Sequence, residues 1–184
     1  MALTLVKETG AGLANANSYA NAADGDAYHD GHLYATAWTA ASAGQKDAAL
    51  VMATRLIDAY MDFGGKKASG VQALQWPRSG CVNPDEPRGP LGLAGWGGSG
   101  TFDSNAVPAV VVAATCEMAR ELIIADRTTA PLGEGLKSSQ VADSIMVFDR
   151  PGRAPVISRV ALALLTKVGA YRGEGDGMVA LQRA

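Results

Sequence analysis

The sequence predicts a mainly α-helical protein: a helical bundle of about four helices with a small β-hairpin, a long glycine-rich loop and an extended C-terminal tail. Three observations predict this fold. Apolar residues recur at helical spacing in several segments, capping residues precede those segments, and many of the 22 glycines lie between and after them. We therefore expect the 184 residues to form a single domain, with the bundle over residues 19–126 and 155–168.

The first helix is predicted over residues 19–30. It follows residues 2–6, which favour a short strand or an extended arm, and a turn-rich segment. Ser18 is the predicted N-cap, because its hydroxyl can accept hydrogen bonds from free amides of the first turn, and Gly31 is the predicted stop.

The second helix has the stronger signature, because Ser42 and Gln45 match a capping box and Gly64 and Gly65 supply an end. The apolar positions at helical spacing are Ala48, Met52, Leu56, Ala59, Tyr60 and Phe63. The charged positions on the opposite face are Lys46, Asp47, Arg55, Asp58 and Asp62. We expect these charges to face solvent or a neighbouring subunit.

Prolines and glycines interrupt residues 66–103, which are predicted to form a long loop that contacts neighbouring molecules. The third helix is predicted to begin near Ser104 or Asn105, to hold Pro108 in its first turn and to run to about residue 126. Because residues 107–116 are apolar on nearly every face, we expect other helices to cover this one.

The remaining elements are a hairpin and a last helix. Alternating apolar residues predict the hairpin over residues 136–149. Pro155 is predicted to open the last helix, over residues 156–168, and the glycines that follow predict a mobile tail over residues 170–184.

No pattern of catalytic residues is evident, so we expect neither an enzyme nor a cofactor. His29 and His32 lie three residues apart, but Gly31 between them and the lack of a third nearby ligand argue against a metal site. The glycine-rich residues 95–100 follow no apolar strand and open no helix, which argues against a nucleotide-binding loop. Cys81 and Cys116 are expected to be reduced thiols.

Charge argues against strong nucleic-acid binding, because the formal net charge is -2. A loose basic set with interleaved tryptophans is nevertheless present: Lys66, Lys67, Trp76, Arg78, Arg88 and Trp96. Single-stranded DNA could use such residues for phosphate contact and base stacking. We expect any such binding to be weak and independent of base sequence. Residues 107–114 are too short to span a bilayer, so we expect a protein made in the cytoplasm.

Several motifs resemble a known family in their order and spacing. They are Gly-Leu-Ala-Asn-Ala-Asn-Ser-Tyr at 12–19, Ala-Leu-Val-Met-Ala-Thr-Arg-Leu-Ile-Asp at 49–58, Trp-Pro-Arg at 76–78, Val-Pro at 107–108 and Ala-Thr-Cys-Glu-Met-Ala at 114–119. Together they resemble the phage and prophage family of DnaT-like single-stranded-DNA-binding proteins, over residues 1–150. Members of that family in turn resemble head-to-tail connectors, which form rings beneath the portal.

The resemblance implies a structural head-to-tail adaptor of a tailed bacteriophage, located at the head-tail junction of the virion. Its implied partners are further copies in a ring of about twelve subunits, the portal protein, the next tail component and packaged DNA passing through the channel. The alternative hypothesis is a replication accessory protein that binds single-stranded DNA. A continuous basic groove with exposed aromatics would favour the alternative.

The adaptor hypothesis assigns two sets of contact residues. The portal or tail contact is predicted at Arg172, Met178, Val179, Leu181 and Arg183, in a terminal segment that would dock as a tethered plug. Contacts between subunits are predicted at Trp76, Arg78, Leu91, Leu93, Trp96, Phe102, Met146 and Phe148.

Overall fold

A computed structural model describes residues 3–86, 100–129, 138–141, 144–147 and 155–172, and at 138–147 it describes the backbone only. The described helices are α1 (Ala22–His29), α2 (Thr36–Ala40), α3 (Ala43–Tyr60), α4 (Ala109–Ile124) and α5 (Arg159–Leu165). The described strands are β1 (Met61–Phe63), β2 (Lys66–Lys67), β3 (Arg78–Ser79), β4 (Ser138–Val141), β5 (Ser144–Val147) and β6 (Gly169–Tyr171). The strands form small two-stranded sheets, so the prediction of a mainly helical protein is confirmed.

Helix α4 lies at the centre of the fold and contacts α1, α2, α3 and α5. Its fully buried side chains include Val111, Cys116 and Met118, as expected for a helix that other helices cover. The predicted start near Ser104 is wrong. The helix begins after Pro108, whose carbonyl accepts from the amide of Val111 at 2.9 Å, so the proline occupies the N-cap position.

Helix α3 begins as predicted. The hydroxyl of Ser42 accepts from the amide of Gln45, whose side chain accepts in return from the amide of Ser42 at 2.9 Å. The buried face differs from the predicted one, because Ala48 and Ala59 are exposed. The side chains that α3 buries in the core are Ala49, Leu50, Val51, Ala53, Thr54, Leu56 and Ile57. The helix also ends before Gly64, since Met61 begins β1.

The predicted cap of the first helix is wrong. Asn21 caps α1 through a capping box with Asp24, whereas the hydroxyl of Ser18 donates to the carbonyl of Ala20 at 2.6 Å. Asparagine competes well for N-cap positions, and Asp24 stands where a capping-box acceptor is needed. Tyr19 therefore precedes the helix, and its side chain is fully buried.

Two helices differ from prediction for local reasons. The five residues of α2 are too few to show helical periodicity, and this helix was not predicted. It places Trp38 in the core with no exposed surface. Helix α5 begins at Arg159, because Ser158 rather than Pro155 provides the cap and accepts from the amide of Ala161 at 3.2 Å.

Strand pairing corrects the predicted C-terminal tail. Strand β6 pairs antiparallel with β1, with Met61 opposite Tyr171 and Phe63 opposite Gly169, so residues 169–171 belong to the fold. Strands β4 and β5 pair antiparallel where the hairpin was predicted, with Ser138 opposite Val147. The strand pair β2–β3 places Lys66 opposite Ser79 and Lys67 opposite Arg78, inside the segment predicted to be irregular.

The glycine-rich part of the predicted loop, residues 87–99, and the end of the predicted tail, residues 173–184, lie outside the described residues. Two hydrogen bonds join the residues that flank the first of these segments. The amide of Asn83 donates to the carbonyl of Gly100 at 3.0 Å, and the amide of Phe102 donates to the carbonyl of Cys81 at 2.8 Å. None of the described helices combines the length and the apolar character needed to span a bilayer.

Candidate nucleic-acid interface

Three of the sequence motifs meet where the loop between β2 and β3 docks on the helices. The hydroxyl of Tyr19 donates to Oδ1 of Asp58 at 2.5 Å. The hydroxyl oxygen of Tyr19 also accepts from the backbone amides of Gln75 and Trp76, at 3.1 and 3.2 Å. Tyr19, Asp58 and the amide of Trp76 belong to segments far apart in the chain, so this contact fixes their relative positions.

Asp58 is the second member of this contact, because its Oδ2 accepts from the amide of Gln75 at 3.0 Å. Burial raises the pKa of Asp58 to about 6, although hydrogen bonds from Tyr19 and Gln75 and the charges of Lys67 and Arg78 act in the opposite direction. Asp58 was predicted to face solvent or a neighbouring subunit; it is only partly exposed, and both of its carboxylate oxygens accept hydrogen bonds within the chain. Burial and the neighbouring Asp58 also raise the pKa of Tyr19 well above its usual value.

Helix α3 holds Tyr19 at a second point. The backbone amide of Tyr19 donates to Oγ1 of Thr54 at 3.2 Å, and the hydroxyl of Thr54 lies 3.5 Å from that of Ser18. All three residues are fully buried. Thr54 precedes Asp58 by four residues and therefore occupies the same face of the helix. Both motif segments are thus tied to each other through polar groups inside the core.

The side chain of Arg78 binds backbone carbonyls at the two ends of its own loop. Its guanidinium donates to the carbonyls of Gly64 at 2.6 Å, Gly65 at 2.9 Å, Phe63 at 3.2 Å and Gln75 at 3.2 Å. These bonds hold residues 63–65 close to residue 75. A guanidinium with so many donors engaged, on a residue only 9% exposed, is poorly placed to bind a phosphate or a neighbouring subunit.

Trp76 anchors the same loop in the core. It is fully buried, and its ring packs edge-on against Phe63 and Phe102, at centroid distances of 5.7 and 5.9 Å. Trp76 and Arg78 were predicted to contact a neighbouring subunit, and the contacts described above lie within the chain. We call residues 64–79 the lysine loop, after Lys66 and Lys67.

The interior of the lysine loop has its own polar support. The side chain of Gln72 accepts from the amide of Ser69 at 2.8 Å and donates to the carbonyls of Leu74 and Pro77, at 2.9 and 3.0 Å. The amide of Ala73 donates to the carbonyl of Leu13 at 3.0 Å. A loop held at this many points presents its exposed side chains from a defined backbone.

Most described cations are paired with carboxylates. The pairs are Lys7 with Asp24 and Lys46 with Asp26, both at 2.7 Å, Arg120 with Glu117 and Glu121, Arg127 with Glu121, Lys167 with Asp85 at 3.7 Å, and Arg172 with Asp62. Lys66 and Lys67 are exposed, and no carboxylate among the described residues lies within ion-pair distance of either. The same is true of Arg55 and Arg159. Two adjacent unpaired lysines on an ordered loop form the clearest candidate contact for an anion.

A groove next to β3 is a poorer candidate. It has a volume of about 590 Å³ and is lined by Ser79, Asn83, Phe102 and two acidic residues, Glu86 and Asp103. Carboxylates at its walls would repel a phosphate backbone. Phosphate contact is therefore better assigned to the lysines than to this groove.

The histidine pair forms no metal site in the described part of the chain. His29 is buried, with Nε2 3.2 Å from the carbonyl oxygen of Cys116, and burial lowers the pKa of its imidazole. His32 lies 3.9 Å from Glu117, too far for a direct hydrogen bond. Both cysteines are free thiols and buried, as predicted.

The remaining predicted contact residues are dispersed. Phe102 packs on Trp76, and Arg172 pairs with Asp62 beside β6. Met146 lies on β5, opposite Ser139, with its side chain outside the described residues. Those that lie outside the described residues altogether are Leu91, Leu93, Trp96, Phe148, Met178, Val179, Leu181 and Arg183.

The fold and the unpaired lysines define a small helical protein with an ordered basic loop. Residues 3–184 match the model of a family described as "Putative DnaT-like ssDNA binding protein", and the chain belongs to this family. Searches of curated proteins and of solved structures found no match. The family is a single-stranded-DNA-binding family and not a connector family, so the predicted head-to-tail adaptor is wrong. The predicted ring, portal and tail partners were inferred from the connector resemblance, so they are wrong as well.

Proposed function

We propose that this chain is a single-stranded-DNA-binding accessory protein of replication, and that Lys66 and Lys67 contact the phosphate backbone. The observation that carries the proposal is a pair of exposed lysines that have no ion-pair partner among the described residues, on a loop held by Tyr19, Asp58 and Arg78. Family membership supports the same ligand. The role we assign is binding, with no chemical step.

Two ammonium groups suit a ligand that must be held without regard to sequence. A lysine acts on phosphate as a mobile point charge and can follow a flexible backbone. Release of counterions from the strand should make the affinity depend on salt. For two or three phosphate contacts we expect a slope of log K against log salt of roughly -1.4 to -2.1, which indicates weak binding at physiological salt.

An aromatic surface lies on the same stretch of chain. The rings of Tyr60 and Tyr171 are nearly parallel, with an interplanar angle of 19° and centroids 6.2 Å apart, and both side chains are partly exposed. Because the chain extends at most about 3.6 Å per residue, Tyr60 and Lys66 are separated by no more than roughly 22 Å. We propose that a strand of several nucleotides, which can cover this distance, contacts the lysines and stacks a base on the tyrosine pair.

The test is a fluorescence-anisotropy titration with an oligothymidylate. The variant Lys66→Ala/Lys67→Ala should bind more weakly and lower the magnitude of the salt slope by about 1.4. The matched control is Arg159→Ala/Lys167→Ala, which removes the same charge from α5 and its C-terminal end. Equal loss in both variants would show that only net charge matters. Unchanged binding in the first variant would contradict the assignment of the lysines.

A further inference from the structure

The backbone that carries the two lysines is itself held in place by two side chains, the fully buried Tyr19 and the partly buried Asp58. Lys66 and Lys67 form β2, whose only described strand partner is β3 at Arg78 and Ser79. A two-residue strand gains little stability from its own hydrogen bonds, so it needs support from outside the ribbon. That support enters the loop at Gln75 and Trp76, directly before β3.

The contact at this point is specific. The Tyr19 hydroxyl accepts from both amides, at 3.1 and 3.2 Å, and Asp58 accepts from the first of them at 3.0 Å. The amide of Trp76 is buried, and Tyr19 is the acceptor that the structure assigns to it. Loss of the hydroxyl would leave this amide without its partner and favour detachment of residues 75–76 from the helices.

We infer that Tyr19 and Asp58 are positioning residues of the single-stranded-DNA site: by accepting from the amides of Gln75 and Trp76, they hold the lysine loop in its binding conformation. This inference rests on the proposed function. Neither residue touches the DNA, and both act through the backbone of the loop.

The first experiment removes the hydroxyl alone. Tyr19→Phe should accelerate hydrogen exchange at the amide of Trp76 and across the lysine loop, while central residues of α4 keep their protection. Affinity for the oligothymidylate should fall on the order of tenfold, because the loop must then be ordered on binding. The control is Ser42→Ala, which removes a cap at the opposite end of α3 and leaves the loop contacts in place.

The second experiment removes the carboxylate. Asp58→Ala takes away one acceptor of the Gln75 amide and the acceptor of the Tyr19 hydroxyl. It should therefore accelerate hydrogen exchange in the lysine loop and weaken oligothymidylate binding, as Tyr19→Phe does.

The outcomes separate the two proposals. If Ser42→Ala weakens binding as much as Tyr19→Phe does, or if Asp58→Ala leaves binding and loop exchange unchanged, the positioning roles are wrong. If wild-type protein fails to bind the oligothymidylate at any pH, the proposed function fails. Hydrogen exchange then still decides whether Tyr19 holds the lysine loop, and unchanged exchange in Tyr19→Phe would overturn that as well.

Discussion

The hydroxyl of Tyr19 lies 2.5 Å from Oδ1 of Asp58, and this contact joins a segment before the first helix to the last turn of α3. The carboxyl group is partly removed from water, so its charged form is disfavoured in the folded protein. Its ionisation is therefore coupled to folding.

The first prediction concerns stability against pH. Asp58 has a pKa of about 6 when folded, whereas an unfolded Asp has a pKa of about 3.9. Because the folded pKa is raised, the folded state holds the proton more tightly, and the contribution is fully present below about pH 3.9. It is lost as pH rises through about 6. Relative to Asp58→Asn, the free energy of unfolding of wild type should fall by up to about 3 kcal/mol between pH 4 and pH 7.

Urea titrations of both proteins at several pH values would check this difference. Other carboxyl groups titrate in both proteins and cancel in the comparison. A constant difference across the range would mean that Asp58 has an ordinary pKa in the folded protein.

The second prediction compares two glycines. A Cβ at Gly25 would lie 2.2 Å from Cζ2 of Trp38, whose indole nitrogen is held by Asp26 at 2.8 Å. Gly25→Ala should therefore lower the free energy of unfolding by about 1–3 kcal/mol through overpacking. Gly44 lies in the first turn of α3 with nothing within 4 Å, so Gly44→Ala should raise it by up to about 1 kcal/mol. Thermal unfolding followed by circular dichroism would show shifts of opposite sign.

The third prediction concerns Arg78. Arg78→Lys keeps the charge but cannot reach all the carbonyls that the planar guanidinium engages. Leaving buried carbonyls unpaired should cost about 2–3 kcal/mol of unfolding free energy. The matched control, Arg55→Lys on the exposed side of α3, should change it by less than about 0.5 kcal/mol. Similar denaturant midpoints for the two variants would contradict a structural role for Arg78.

The fourth prediction tests the tyrosine pair. Tyr171→Ala should weaken oligothymidylate binding roughly fivefold or more, whereas Tyr171→Phe should stay close to wild type because the stacking face remains. Tyr171 also packs on the core, so unfolding must be measured on both variants. Equal affinity of the alanine and phenylalanine variants, with both folded, would exclude base stacking at this position.

Local signals predicted part of the fold and little of the candidate site. The capping box at Ser42 and the apolar pattern of residues 107–116 each involve residues that are close together in the chain, so both can be recognised from the sequence. The cap at Asn21 was missed because Ser18 offers the same chemistry three residues earlier, and the choice between them depends on where Tyr19 is buried. Strand β6 could not be foreseen, since its partner β1 lies more than a hundred residues away.

The candidate site depends on contacts between distant segments, which neither hydrophobic periodicity nor the spacing of motifs reveals. Asp58 follows the charged pattern of an exposed helix face, and only the docking of Gln75 and Trp76 over it changes its environment. The motif segments that contain Tyr19, Asp58 and Trp76 indicated a family, but their shared place in space was not predicted. Arg78 is the opposite case. Its charge suggested phosphate binding, but its guanidinium donates to backbone carbonyls of the chain itself.

The bridge between Val82 and Thr101 makes the intervening chain a natural place for protein engineering. Paired residues of an antiparallel bridge have Cα atoms about 4.5–5.5 Å apart, a gap that a turn of about four residues can close. Residues 84–99 could then be exchanged for such a turn, or for a fluorescent reporter, with the residues of the bridge retained. A shortened protein of this kind would lack Leu91, Leu93 and Trp96, and comparing its assembly state with that of the full chain would isolate what those side chains contribute.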